Sequence, residues 1–84
     1  MTASSLLKMS AITFRVFYPG GDTAFKCLSN SPFSEMAYAL YKRNGYQTWS
    51  GKWFFGDYEI ELEDFFLTVS EIGIKDGSEI KHIQ

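Results

Sequence analysis

The amino-acid sequence predicts an α+β domain in which one main helix packs across one face of a mixed β-sheet. Three observations support this class: apolar residues alternate with period two near both ends of the chain, a helical stripe lies between them, and Gly-rich turns separate the segments. The length of 84 residues leaves room for one domain. Aromatic residues make up 18% of the chain, enough to supply a large core for so short a sequence.

The predicted domain spans residues 11–84. Residues 1–10 show no hydrophobic period, and we expect a flexible N-terminal arm there. The first strand is predicted at three alternating apolar residues, Ile12, Phe14 and Val16. Phe17 extends this strand with its side chain on the opposite face.

A turn signal at Tyr18–Asp22, Tyr-Pro-Gly-Gly-Asp, separates the first strand from a second one at Thr23–Leu28. Phe25 and Cys27 fall on one side of the second strand, and Lys26 falls on the other. Two strands joined by so short a turn are predicted to form an antiparallel hairpin.

The main helix is predicted to begin with Ser31 as N-cap and Pro32 at the first helical position. Its apolar stripe has the spacing i, i+3, i+4, i+7, i+8, at Phe33, Met36, Ala37, Leu40 and Tyr41. Lys42 and Arg43 suit the negative end of the helix dipole, and Gly45 is predicted to end the helix in the left-handed conformation.

The remaining chain predicts two or three strands. Trp53-Phe54-Phe55 is predicted as a central strand, Tyr58–Leu62 as a further short one, and Glu79–Ile83 as the last. An acidic stretch accompanies the middle segment, at Glu59, Glu61, Glu63 and Asp64. Its alternation favours a solvated strand face over paired catalytic carboxylates.

The sequence offers no catalytic or metal-binding constellation, so we expect neither an enzyme nor a cofactor. Cys27 lies among apolar neighbours without a partner base, which favours a structural thiol. His82 is the one histidine, and a metal site built from one His and one Cys is improbable. No Gly-rich phosphate loop precedes a helix.

Charge and hydropathy exclude further classes of partner. The net charge is −2, the pI is about 5.2 and no Lys/Arg run occurs, so we expect no nucleic-acid binding. The longest apolar runs are too short for a membrane span or a signal-peptide core. Together with the lone Cys27, this predicts an intracellular protein, cytoplasmic or nuclear.

Two segments resemble the ubiquitin-like β-grasp family, most closely its small ubiquitin-related modifier (SUMO) branch. Phe25–Gly45 is similar to the second strand and helix of SUMO without a gap, and Thr68–Ile80 is similar to the segment T-x-x-E-L-G-M-x-D-G-D-x-I. The resemblance covers roughly residues 11–84 and implies a β-grasp domain that binds other proteins.

In SUMO, a groove between the second strand and the helix accepts an extended hydrophobic peptide as an added strand. The resemblance places this groove at Phe25, Lys26, Cys27, Leu28, Met36, Ala39, Leu40 and Arg43. The alternative is that Phe25, Cys27, Met36 and Leu40 are core residues. Leu28 and Glu35 stand where SUMO usually has lysines, which implies a less acidic partner.

A second surface is implied on the exposed sheet face. If Trp53 and Phe55 point inward, Phe54 points outward, and alternation in the last strand likewise directs Ile83 outward. Ubiquitin-like proteins carry a hydrophobic recognition patch at these positions. We therefore expect an exposed hydrophobic patch at Phe54 and Ile83.

Two departures from the SUMO pattern keep alternatives open. Residues 58–67 hold an insertion of about four residues, whose surface cannot be carried over from the resemblance. Conjugated family members end in Gly-Gly, whereas this sequence ends at Gln84. We therefore expect a non-catalytic protein-interaction domain; the alternatives are a covalent modifier whose Gly-Gly tail lies beyond Gln84, or a β-grasp accessory subunit of a multicomponent enzyme.

Overall fold

The computed structural model describes residues 10–47 and 50–84. Most of the predicted arm, residues 1–9, lies outside the described residues. The elements in chain order are strands β1 (Ala11–Tyr18) and β2 (Gly21–Leu28), helix α1 (Phe33–Asn44), strands β3 (Lys52–Phe55) and β4 (Tyr58–Ile60), a 3-10 helix (Leu62–Phe66), the short helix α2 (Val69–Ile72) and strand β5 (Glu79–Ile83).

The five strands form one sheet in the order β2-β1-β5-β3-β4. The hairpins β1–β2 and β3–β4 are antiparallel, β5 pairs in parallel with β1, and β5 pairs antiparallel with β3. The predicted mixed sheet is therefore confirmed. The last strand of the chain lies at its centre, between the two hairpins.

The hairpin β1–β2 has a tighter turn than the sequence pattern predicts. Tyr18 pairs with Gly21, so Pro19 and Gly20 alone form the turn, and Gly20 has a φ of 95°. Glycine has no Cβ and therefore adopts a positive φ most easily, which explains why glycine occupies position 20. Strand β2 consequently begins at Gly21, two residues before its predicted start.

Helix α1 packs its apolar stripe against the inner face of the sheet. The ring of Phe33 meets Trp53 edge to face at 5.1 Å, and the Trp53 indole N–H donates to the Tyr41 hydroxyl at 3.0 Å. The aromatic residues that the sequence pattern directs inward are buried, except for Phe55, which is partly buried against the core. The buried ones are Phe14, Phe25, Phe33, Tyr41 and Trp53. Aromatic burial thus holds this domain together in place of disulfides.

The predicted N-cap of α1 is wrong. The cap is Pro32, in extended conformation with φ −67° and ψ 144°, and Ser31 lies outside the helix. The Val69 amide donates to the Ser31 carbonyl and the Phe33 amide donates to the Leu67 carbonyl, both at 2.9 Å. These hydrogen bonds join residues 31–33 to residues 67–69. Because the Ser31 carbonyl is already bonded to Val69, the helical turn that Ser31 would cap does not form. The C-terminal prediction is confirmed, since Gly45 has a φ of 71°.

The chain after β4 also differs from the prediction. The strand ends at Ile60, Glu61 is the N-cap of the 3-10 helix, and Glu63 and Asp64 lie on that helix, so the predicted acidic strand face extends only to Glu59. Reciprocal side-chain and backbone hydrogen bonds between Glu61 and Asp64 cap this helix. Thr68 and Glu71 form the same kind of capping box on α2.

Candidate functional site

Strand β2 has an unpaired edge within the described part of the chain, since it pairs there only with β1. The Ser29 amide donates to the Ser10 carbonyl at 2.8 Å, one step beyond the strand pair. Hydrogen-bonded pairs alternate in an antiparallel ladder, so Cys27 bonds to Ile12 within the sheet. Between bonded pairs, Ala24 and Lys26 direct their backbone groups to the free edge, while the Leu28 carbonyl at its end already accepts from the Ser31 amide at 3.0 Å.

The predicted groove residues divide into a buried floor and an accessible rim. Phe25 and Leu40 are 5% and 0% exposed and belong to the core. Their burial agrees with the alternative that they are core residues, with Phe25 on β2 and Leu40 on α1 itself. The half-buried members that line the space between α1 and β2 are Cys27, Met36 and Ala39.

Lys26 and Leu28 do not line the groove, because alternation turns them away from α1. Both are exposed, and they extend from the opposite face of the sheet beside the free edge. Arg43 lies at the other end of the groove. Its guanidinium is 5.1 Å from the centre of the Phe25 ring and donates to the Thr23 hydroxyl, so it is held against β2.

The Cys27 thiol is free, and its surroundings disfavour the thiolate. Burial raises the pKa of the Cys27 thiol, and the nearby Glu35 carboxylate raises it further. A nucleophilic cysteine needs the opposite environment. The structural role predicted for Cys27 is consistent with this chemistry.

His82 lies on the inner face of β5 and is 1% exposed. Its ring is 4.4 Å from that of Trp53, and Nε2 is 3.2 Å from the Ser50 carbonyl oxygen. Burial lowers the pKa of His82, while the contact with Ser50 raises it less strongly. The imidazole is thus a core group with one backbone partner on Nε2.

Among residues 10–47 and 50–84, no three His, Cys, Asp or Glu side chains are grouped so that they could hold a metal ion. Within the same residues, no helix has the length and apolar character needed to cross a membrane.

The outer face of the sheet carries the predicted hydrophobic patch. Phe54 is half-buried and Ile83 is 41% exposed. Phe54 pairs with Lys81 and Ile83 pairs with Lys52, so the two apolar residues are diagonal neighbours on adjacent strands. Two lysines therefore accompany the patch.

Phe17, which the sequence pattern directs away from the inner face of β1, joins this surface. The parallel pairing of β1 with β5 sets Phe17 opposite Lys81, and Phe17 is 39% exposed. A concavity of about 490 Å³ lies between Phe17 and Phe54, and a smaller one of about 200 Å³ is lined by Phe17 and Ile83. We call these three apolar residues, Phe17, Phe54 and Ile83, the outer patch.

Alternation alone places Phe17 on the outer face. Its neighbours on that face depend only on the pairing of the first strand with the last, which no local sequence signal specifies.

Comparison with solved structures identifies the fold. The ubiquitin-like domain of an Arabidopsis thaliana protein superposes with a TM-score of 0.74 at 18% identity, covering 86% of this chain and 74% of that one. ATBAG1, solved in complex with HSP70, gives a TM-score of 0.74 at 20% identity, over 87% of this chain and 40% of that one. The protein therefore has the ubiquitin-like β-grasp fold predicted from its sequence.

No protein-family description matches the sequence, and no curated protein matches it.

Proposed function

We propose that this protein is a non-catalytic interaction domain that binds an extended apolar segment of another protein as an added strand on β2. The observation that carries the proposal is the edge of β2, an eight-residue strand that pairs only with β1 within the described part of the chain. An added strand would take its affinity from the backbone groups of that edge, and its register from side chains that enter the groove.

The groove chemistry favours an apolar partner segment. Cys27, Met36 and Ala39 offer small or flexible apolar contacts, and Met adapts to irregular partners. Glu35 and Leu28 replace the lysines of SUMO, so acidic residues flanking the partner segment would gain little here. One neighbour in fold was solved with HSP70, which supports a protein as the partner.

The outer patch is a second contact surface in this proposal. Apolar side chains around Lys81 would suit a partner that presents apolar residues together with a carboxylate. We infer an intracellular setting, cytoplasmic or nuclear, because the free, half-buried Cys27 thiol suits a reducing compartment.

Titration of the labelled protein with a synthetic Val/Ile-rich peptide, monitored by amide chemical shifts, tests strand addition on β2. Lys26→Pro should weaken binding by about tenfold or more, since it removes a free-edge N–H and blocks the incoming strand. Because the Lys26 amide faces away from β1, the variant should remain folded.

Lys26→Ala is the matched control, because it removes the charge and keeps the backbone donor. Its affinity should stay within about threefold of the parent. Equal binding by the parent and Lys26→Pro would eliminate the β2 edge as the site. Shifts confined to Phe54 and Ile83 would move the site to the outer patch instead.

A further inference from the structure

The exposed aromatic side chain of Phe66 is held on a well-supported backbone. Phe66 is 81% exposed, the highest value among the exposed large apolar residues described. Its neighbour Phe65 is buried, with its ring 5.2 Å from that of Phe33. The Leu67 amide donates to the Asp64 carbonyl and the Leu67 carbonyl accepts from the Phe33 amide, so Leu67 anchors the backbone after Phe66 and the buried Phe65 anchors it before. The ring is thus presented to solvent by packing, not by a loose loop.

Phe66 forms one wall of a concavity against helix α1. The concavity has a volume of about 380 Å³ and is lined by Phe66, Tyr38, Ser34 and Glu35. Tyr38, on the solvent face of α1, is 55% exposed. We call these four residues the insertion patch. A shallow cleft between two aromatic rings suits one bulky apolar side chain, and ordering such a cleft beforehand reduces the cost of binding.

The charge around the insertion patch is negative. Residues 57–67 contain no Lys or Arg, and they carry the carboxylates of Asp57, Glu59, Glu61, Glu63 and Asp64. Glu63 lies on the same side of the 3-10 helix as Phe66, because side chains at i and i+3 eclipse there. Glu35 lines the cleft itself, and Lys42 lies one helical turn after Tyr38.

The carboxylates of this segment raise the pKa of Tyr58. Its hydroxyl donates to Asp64 at 2.5 Å, and this bond raises the pKa of Tyr58, with the charges of Glu61 and Glu63 adding to the effect. The outer patch is different, because Lys52 and Lys81 accompany its apolar residues. The two apolar surfaces therefore favour partners of opposite charge.

We propose that the insertion patch is a third protein-docking surface, which takes a partner segment with a bulky apolar side chain flanked by Lys or Arg. The apolar anchor enters the cleft between Phe66 and Tyr38, and the flanking cations face Glu35 and Glu63. This surface contains no residue of β2, although Glu35 lies near both surfaces, and Lys26→Pro therefore tests the β2 edge independently.

The probes are two short helical peptides with leucines along one face, one with lysines on the other positions and one with glutamates. Each is titrated into the full labelled chain while amide shifts and affinity are recorded. The lysine peptide should shift the amides of Ser34, Tyr38 and Phe66 and bind at least about tenfold more tightly than the glutamate peptide. Its affinity should fall as salt is raised, because exposed charges are screened.

Phe66→Ala should weaken the lysine peptide by about tenfold without loss of stability, since the ring is an exposed anchor. Glu63→Gln should give a smaller loss of affinity for the lysine peptide, and this loss should disappear at high salt. Lys26→Pro, which blocks the β2 edge, should leave this binding unchanged.

Three outcomes would overturn the proposal: equal binding of the two peptides, no effect of Phe66→Ala, or shifts at β2 or the outer patch alone. A protein that sediments as a dimer and becomes monomeric on Phe66→Ala would also overturn it, because the patch would then be covered by a second copy.

Discussion

The two edges of the sheet are built in opposite ways. Strand β2 runs for eight residues and leaves Ala24 and Lys26 with backbone groups toward solvent. Strand β4 has only three residues, carries Glu59, and passes at once into a capped 3-10 helix. Both strands have one partner within the described chain, so the difference lies in strand length, in charge and in the segment that comes after each strand.

Natural sheets protect their edges with short strands, charges and covering segments, because a long free edge pairs with other chains. The β4 edge is short, carries Glu59 and leads directly into a capped 3-10 helix, whereas β2 has two charged residues, Asp22 and Lys26, over a length of eight. This contrast is the structural basis for assigning strand addition to β2.

The largest effect should come from removing the anchor of the β4 side. Phe65 is 4% exposed and packs against Phe33 and Trp53, so Phe65→Ala should cost about 3–5 kcal/mol of unfolding free energy. Chemical denaturation measures this loss. If Phe65 anchors the β4 edge, amide hydrogen exchange in the Phe65→Ala variant should rise first at β4 and the 3-10 helix.

Phe66→Ala is the matched control one residue away. Because its ring is exposed, the unfolding free energy should change by no more than about 0.5 kcal/mol. Comparable losses in the two variants would mean that the β4 edge is not anchored through Phe65.

A smaller effect is expected from a change at Thr68, in the segment that comes after the 3-10 helix. The segment around Thr68 bonds to residues 29–33, which come after β2, and the Thr68 hydroxyl accepts from the Glu71 amide at 3.0 Å. Thr68→Ala should cost about 1 kcal/mol, as the loss of an N-cap does elsewhere. Thr68→Ser keeps the acceptor and should recover most of the loss; equal destabilisation by Ser and Ala would refute the capping role.

The smallest effect at neutral pH, one that grows on acidification, is expected from His82. Burial holds its folded-state pKa below the unfolded value of 6.5, so the unfolded chain binds the proton more readily. Stability is therefore complete above pH 6.5 and falls as the pH drops through that value toward the folded pKa. Since His82 contacts Trp53, exchange should rise at β3 and β5 before β2.

His82→Gln removes this titration and can still donate to Ser50. It should be less stable than the parent at about pH 7.5, with less change in stability between about pH 6.5 and pH 5 than the parent shows. The same pH slope in both proteins would assign the acid sensitivity to other groups.

Much of the fold was predictable because local signals and tertiary structure agree. Period-two alternation at Ile12, Phe14 and Val16 places these residues in the core, and the stripe of α1 does the same for Phe33 and Tyr41. The predictions failed where long-range pairing decides local structure. Ser31 has the chemistry of a cap, but its carbonyl is already bonded to Val69, far away in sequence.

The candidate site was less predictable. Position along a strand or helix does not distinguish a buried floor from an accessible rim, so the resemblance grouped the buried Phe25 and Leu40 with the accessible residues of the groove. The partners of Phe17 depend on the β1–β5 pairing. The signal Thr68-x-x-Glu71, in contrast, was present in the sequence and would have revealed α2.

The central position of β5 has a consequence for how the chain reaches its folded state. The two hairpins can form early from neighbouring residues, yet they meet only when β5 inserts between them, and Arg15 then pairs with Glu79 across most of the sequence. During synthesis, β1 and β3 must wait with unpaired edges until the last strand has left the ribosome. Until β5 pairs with both strands, the nascent chain therefore exposes the edges of β1 and β3 to pairing with other chains.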